Sequence, residues 1–209
     1  TQNLEEACKY FKMAADKGNT NGMIKYGLML NDGTGITQNL EEACKYFKMA
    51  ADEGNLNGMI NYGNMIINEN GIQINLEEAC KYYKKAADGG NTIGMIYYGL
   101  MLEKGKGTQM NLEEACKYNK MAAYNGNCVG MNNYGWNLFK LSSKNEDYEI
   151  SCNYFRMAIE KNNYQSMVNY GFMLDHGYGV KIDHEKANKL YEKVIEKYAS
   201  EQKNWYFYT

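Results

Sequence analysis

The chain has 209 residues, 44% of them hydrophobic, with 23 basic side chains against 25 acidic ones and no proline. A formal charge of −2 excludes the strongly basic balance that nucleic acid or an anionic membrane surface selects, and no acidic tail is present. No apolar stretch approaches the roughly 20 residues that a bilayer requires.

The first residues, Thr1 to Glu6, have neither the charged nor the apolar segment of a signal peptide. Together with unpaired thiols, this favours a cytoplasmic chain, or a secretory lumen if a leader has been removed. The chain lacks an initiator Met and begins at a repeat boundary, so it reads as a piece of a longer protein. Leu4, Ala7, Cys8, Phe11 and Ala15 then fall on one face of a 3.6-residue period, which predicts an amphipathic helix. Tyr10 and Ala14 widen that face, as an element packed on two sides requires. Asn3 and Glu6 have the spacing of a capping box, and Gly18 supplies a left-handed stop. Asn19 is a good N-cap for a second helix, whose apolar face carries Met23, Tyr26, Gly27 and Leu30. A mid-helix Gly27 costs about 1 kcal/mol against alanine, so it implies a compensating close helix approach. Gly33 and Gly35 end the unit.

The same text recurs every 36 residues. Cys8, Cys44, Cys80, Cys116 and Cys152 keep this period, as do the Tyr-Gly pairs at 26, 62, 98, 134 and 170. Capping pairs repeat at Asn39/Glu42, Asn75/Glu78 and Asn111/Glu114. The stop glycine repeats at Gly54, Gly90 and Gly126 and becomes Asn162, the next best residue for positive φ. The second N-cap repeats at Asn55, Asn91, Asn127 and Asn163. Gly-x-Gly recurs at Gly105/Gly107 and Gly177/Gly179, but the fourth unit has Leu141-Ser142-Ser143 there, which predicts an irregular seam before residue 148. The expected units are 1–36, 37–72, 73–108, 109–144 and 145–180, followed by a half-unit over 181–199. The aromatic tail, 200–209, contains Trp205, Tyr206, Phe207 and Tyr208 and is expected to cover the end of the core, the competing reading being a peptide-like docking segment.

A small residue, Tyr-Gly, Gly-x-Gly, Glu-Ala-x-x-Tyr/Phe and Ala-Ala-x-x-Gly in this order resemble the Sel1-like repeat, a relative of the tetratricopeptide repeat. The resemblance covers about residues 1–199. It implies an all-α, right-handed α/α superhelical solenoid of antiparallel helix pairs, here five 36-residue repeats plus a terminal half-repeat. It also implies a non-catalytic scaffold or adaptor for a protein or peptide partner. Some bacterial members with paired cysteines are linked to β-lactam binding, and the single repeated cysteine here does not match that subtype.

The residues offer little for catalysis. The repeated cysteines lie on an apolar helix face, and equivalent helices sit about 8–10 Å apart, beyond the roughly 7 Å that a disulfide tolerates. Five buried reduced thiols are expected, with Cys128 partly exposed. There is no Cys/His cluster for a metal and no cofactor-binding pattern. His176 and His184 read as surface residues. Glu5/Glu6 and their copies suit helix N-termini, since a catalytic pair need occur only once. Lys9, Lys12 and Glu5 on the first helix read as a solvated face.

Positions that differ between near-identical units are those that packing does not dictate. They cluster on the second helix. The columns are Lys25, Asn61, Tyr97, Asn133, Asn169; Leu28, Asn64, Leu100, Trp136, Phe172; Asp32, Asn68, Lys104, Lys140, His176; and Asn21, Asn57, Ile93, Val129, Gln165. A spacing of three or four makes them one stripe, which the resemblance places in the concave groove. Asn amides suit a peptide backbone, the aromatics suit anchors and the lysines suit acidic groups. The competing reading makes Trp136 and Phe172 part of the core. Other readings of the whole chain are a structural spacer, self-association through terminal units, a small-ligand site, or an array regulating a larger protein.

Overall fold

The computed structural model of the chain describes residues 2–67 and 73–206, and side chains over 3–67 and 73–199. Asn68 and the side chains of the aromatic tail lie outside the described residues. Among those described, every regular element is an α-helix. In chain order these are α1 (Gln2–Asp16), α2 (Thr20–Asp32), α3 (Leu40–Asp52), α4 (Leu56–Ile66), α5 (Leu76–Asp88), α6 (Thr92–Lys104), α7 (Leu112–Tyr124), α8 (Cys128–Leu141), α9 (Asn145–Glu160), α10 (Tyr164–His176) and α11 (His184–Tyr206). They form two compact units, Thr1–Asn111 with α1–α6 and Leu112–Thr209 with α7–α11.

Local chemistry sets the helix ends. Asn19, Asn55, Asn91, Asn127 and Asn163 each cap a second helix, with the side-chain oxygen accepting from backbone N–H groups of the first turn. Gly18, Gly54, Gly90 and Gly126 adopt φ of 83°, 84°, 90° and 78°, and Asn162 follows them at 59°. Asn39 and Asn75 accept from the backbone N–H of Glu42 and Glu78 at 3.0 Å. The return arm is a side-chain bond, from Asn75 Nδ2 to Glu78 Oε2 at 3.0 Å, in place of the carboxylate-to-backbone bond of a capping box. Asn3 does not cap, because α1 already includes Gln2.

Packing in the first unit explains the mid-helix glycines. A Cβ on Gly27 would lie 2.7 Å from Phe47 Cε1, and one on Gly63 would lie 2.6 Å from Tyr83 Cε1. The ring of each following first helix thus rests against backbone that has no side chain. Beside it, Tyr26 meets Tyr46 edge to face at 4.8 Å and Tyr62 meets Tyr82 at 5.0 Å. Such a pair contributes about 0.5–1.5 kcal/mol beyond its burial. The first-helix lysines are less idle than a solvated face implies. Lys48 Nζ lies 3.2 Å from Tyr82 Oη, 3.5 Å from Asp52 and 3.6 Å from Glu78, and it sits over the Tyr62 ring at 5.0 Å. Lys12 takes the same position over Tyr26 at 5.7 Å. Each second helix also touches the next, α2 with α4 and α4 with α6.

The second unit repeats these devices with exceptions. Gly135 faces Phe155, Gly171 faces Tyr191, and Tyr134 meets Tyr154 at 4.7 Å. Where the Gly-x-Gly turn is missing, Ser142 is extended and donates from its hydroxyl to Asp147 at 2.5 Å. α9 then starts at Asn145, after Lys144, whose side chain makes no cap bond. Asp183 caps α11 through the Lys186 N–H at 2.9 Å, and α11 runs on through Tyr206, so the expected tail begins as helix.

The thiols divide differently from expectation. Cys8, Cys80 and Cys152 are buried, whereas Cys44 and Cys116 are half-buried like Cys128. Burial still pushes the Cys116 and Cys152 thiols up to about 11, which keeps them protonated and unreactive near neutrality.

Candidate binding surface

In the first unit the second-helix stripe lines an open depression of about 350 Å³. Its floor is Ile24 and Ile60, both buried, and its walls are Asn21, Lys25, Leu28, Asn57, Asn61 and Ile93. Lys25 is exposed, while Asn61 is half-buried. Leu28 packs on the cluster of Ala15, Met23, Ile24 and Ala50. The other stripe residues of this unit stand outside the depression. Asn64 Oδ1 accepts from the Tyr83 hydroxyl at 2.7 Å, and the Tyr97 ring lies 5.0 Å from that of Tyr83. Leu100 and Lys104 are exposed.

The N-cap asparagines do more here than the sequence reading assigned to them. Asn55 Oδ1 accepts from Asn57 N and Gly58 N, while its Nδ2 donates to Thr20 Oγ1 at 3.0 Å and Asn21 Oδ1 at 3.4 Å. Asn91 Nδ2 likewise donates to Asn57 Oδ1 at 3.1 Å. The rim amides are therefore oriented with their oxygens engaged, and Nδ2 donors remain at Asn21 and Asn57. One sequence signal pointed this way. Ser, Thr or Asp would cap as well, yet all five caps are Asn, which alone among the four carries an Nδ2 donor.

In the second unit the stripe aromatics are half-buried and packed together. Trp136 stacks on Phe139 at 5.3 Å and meets Phe172 edge-on at 6.3 Å. Phe172 lies 4.4 Å from the His176 ring, which is parallel to Tyr178 at 5.7 Å. The group rests on the core of Cys152, Phe155, Tyr170, Met173 and Leu174. Lys140 Nζ sits 5.5 Å over the Trp136 ring. Asn133 is half-buried and Asn169 is buried, and both belong to a network of side-chain amides.

The first-helix face has depressions too. The larger, about 650 Å³, is lined by Asn75, Glu77, Glu78, Lys81, Tyr82, Lys84, Lys85 and Asp88. Its charges are partly engaged in bonds to their neighbours, Lys84 to Asp88 at 3.3 Å and Tyr82 to Asp52 at 2.6 Å. Among the described residues no three His, Cys, Asp or Glu side chains converge as a metal site. His184 Nδ1 lies 3.0 Å from Asp175 Oδ1, and the Tyr191 hydroxyl donates to Asp175 Oδ2 at 3.0 Å, which ties α11 to α10. No described helix is long and apolar enough to cross a membrane.

The Sel1 repeat model matches the chain six times in succession, at residues 1–19, 20–55, 56–91, 92–127, 129–163 and 165–197. The chain belongs to the Sel1 repeat family. The family frames its repeat from a second helix to the following first helix, the same pair that Gly27 and Phe47 lock together. Among solved structures, a protective antigen of uropathogenic Escherichia coli displaying an SLR fold is 25% identical, with a TM-score of 0.85 over 92% of this chain. The chain spans 41% of that antigen's length. A Sel1 repeat protein from Oxalobacter formigenes is 23% identical with the same TM-score, over 94% of this chain and 78% of its own. An immunity protein from Pseudomonas aeruginosa is 16% identical at a TM-score of 0.54, over 90% and 72%. No curated protein matches the chain. The fold is the all-helical Sel1 solenoid, and such repeats are generally non-catalytic scaffolds for protein partners.

Proposed function

We propose that this Sel1 array binds an extended segment of a protein partner, without catalysis, along the second-helix stripe. The depression walled by Asn21, Lys25, Leu28, Asn57 and Asn61 carries this reading. An apolar floor with outward amide donors and one cation suits a chain rich in carbonyl oxygens, with an acidic or polar side chain near Lys25. Within the other unit, the half-buried Trp136 and Phe172 form an aromatic surface of their own on a packed base. Retention of protein from a matched cell lysate tests the reading. The parent chain is expected to hold a partner that a Lys25→Glu/Asn61→Ala variant of unchanged helicity loses. Equal retention by both moves the site off the stripe.

A further inference from the structure

We infer that the second unit holds a main-chain recognition site, a one-way relay of side-chain amides on α8 and α10 that takes an uncharged extended peptide backbone. The inference rests on the binding role proposed for the stripe and names the chemistry of one part of it.

The relay runs in one direction. Gln165 Nε2 donates to Asn169 Oδ1 at 3.4 Å, Asn169 Nδ2 to Asn132 Oδ1 at 2.9 Å, and Asn132 Nδ2 to Asn133 Oδ1 at 3.2 Å. The Ser166 hydroxyl adds a second donor to Asn132 Oδ1 at 2.9 Å. Asn132 is 6% exposed, Asn169 is 8% exposed and Ser166 is fully buried. The two ends are accessible, since Gln165 is exposed and Asn133 half-buried. At one end stands an acceptor, Gln165 Oε1, and at the other a donor, Asn133 Nδ2. An extended peptide offers the complement, an N–H from one residue for the acceptor and a C=O from another for the donor. Successive amide bonds polarise one another, so the terminal donor and acceptor are stronger than those of isolated side chains.

The repeats supply the internal control. Asn132 stands where the other units have Ile24, Ile60, Ile96 and Val168, and Ser166 stands where they have Gly22, Gly58, Gly94 and Gly130. Fold alone therefore asks for an apolar residue and a glycine at these positions. Two departures that bond to each other, in a chain otherwise copied closely, place polar chemistry where packing has no use for it. No charged side chain takes part in the relay, so a carboxylate or phosphate ligand is disfavoured. Trp136 and Phe172, on the same two helices, offer flat surface for an apolar side chain of the bound segment.

A phage-displayed library of random 12-residue peptides, selected on the whole chain, provides the probe, and an enriched peptide is then titrated by fluorescence anisotropy. Asn132→Ile/Ser166→Gly restores the residues of the other repeats and is expected to fold at least as stably by circular dichroism. Gln165→Ala, at an exposed position, guards against misfolding as the cause. Each is expected to weaken binding by about tenfold, the scale of two lost amide bonds. N-methylation at one backbone position of the peptide, leaving its side chains intact, is expected to do the same. Undiminished binding to both variants overturns the relay. If Lys25→Ala/Asn61→Ala then loses the peptide, the stripe stands and the relay alone fails. If that variant also binds normally, or if selection on the parent enriches nothing, both readings fail.

Discussion

Asn119 Nδ2 donates to Asn137 Oδ1 at 2.7 Å inside the second unit, where both side chains are wholly buried. Asn119 Oδ1 and Asn137 Nδ2 have no partner. The other repeats place Phe11, Phe47, Tyr83 and Phe155 at the first position, and Met29, Met65, Met101 and Met173 at the second. The fourth repeat thus has, in place of an aromatic residue and a methionine, an amide pair that is only half satisfied. A buried unpaired polar group costs about 1–3 kcal/mol. Asn119→Phe/Asn137→Met is therefore expected to stabilise the chain by about 2–4 kcal/mol, combining relief of that cost with apolar burial. Each single variant strands the remaining amide and gains less than half as much. A denaturant double-mutant cycle checks this, with a coupling of about 1–2 kcal/mol expected between the sites. Additive single gains would contradict it.

The glycines of the second helix make the opposite prediction. A Cβ at Gly63 meets the Tyr83 ring at 2.6 Å, and that ring is held by its hydroxyl bond to Asn64. Gly63→Ala is expected to destabilise by about 1–3 kcal/mol despite the helix propensity of alanine. Asn162→Gly, at φ 59°, is expected to be neutral or to stabilise by up to about 1 kcal/mol. Thermal unfolding of the two variants checks the contrast in sign.

The α10–α11 tie should respond to acid. The His184 hydrogen bond lowers the Asp175 carboxyl below its ordinary 3.8; desolvation is the next largest effect and opposes it, and the Tyr191 bond assists the lowering. A folded value below the unfolded one means that ionised Asp175 stabilises the fold. Its contribution is complete above about 3.8 and is lost as pH falls through the folded value. The parent should melt above Asp175→Asn at neutral pH, and the two curves should converge as pH falls below the folded value. A gap that persists in acid would contradict this sign.

Thiol labelling reads the packing directly. Cys152 is buried, with its thiol pushed up to about 11 and directed at the Tyr178 carbonyl oxygen at 3.3 Å, whereas Cys128 is half-buried in the first turn of α8. In the native chain near pH 8, an alkylating reagent should modify Cys128 well before Cys152. Mass spectrometry of time points checks the order. Equal rates would mean that the second unit opens as readily as it labels.

Most of the fold was legible because the chain states each unit five times. The caps at Asn55 and Asn91, the stop at Asn162 and the close approach at Gly27 all follow from one residue and its neighbours, so spacing was enough to find them. Less was legible where a residue's role depends on another 18 to 37 positions away. Tyr26 and Tyr46 were both visible as repeated residues, but their edge-to-face contact was not. The second bonds of the N-caps Asn55 and Asn91, to Asn21 and Asn57, needed the geometry of neighbouring helices. The amides of Asn119, Asn137 and Asn132 and the hydroxyl of Ser166 depart from the repeat without forming a pattern of their own in the sequence, and only their bonding gives those departures meaning. Lys25, Leu28 and Asn61 do share one depression. Asn64 and Tyr97 are instead drawn to Tyr83, which stands in a column where Phe11, Phe47 and Phe155 carry no hydroxyl.

The central claim is that the second-helix stripe of the first unit is the contact surface. A photoreactive side chain placed at Asn61, and separately at Lys45 on the exposed first-helix face, tests it most directly against the protein partner that the parent chain retains from a matched lysate. Covalent capture of that partner is expected from position 61, with little from position 45. Capture from position 45, with none from 61, would contradict it and place binding on the first helices.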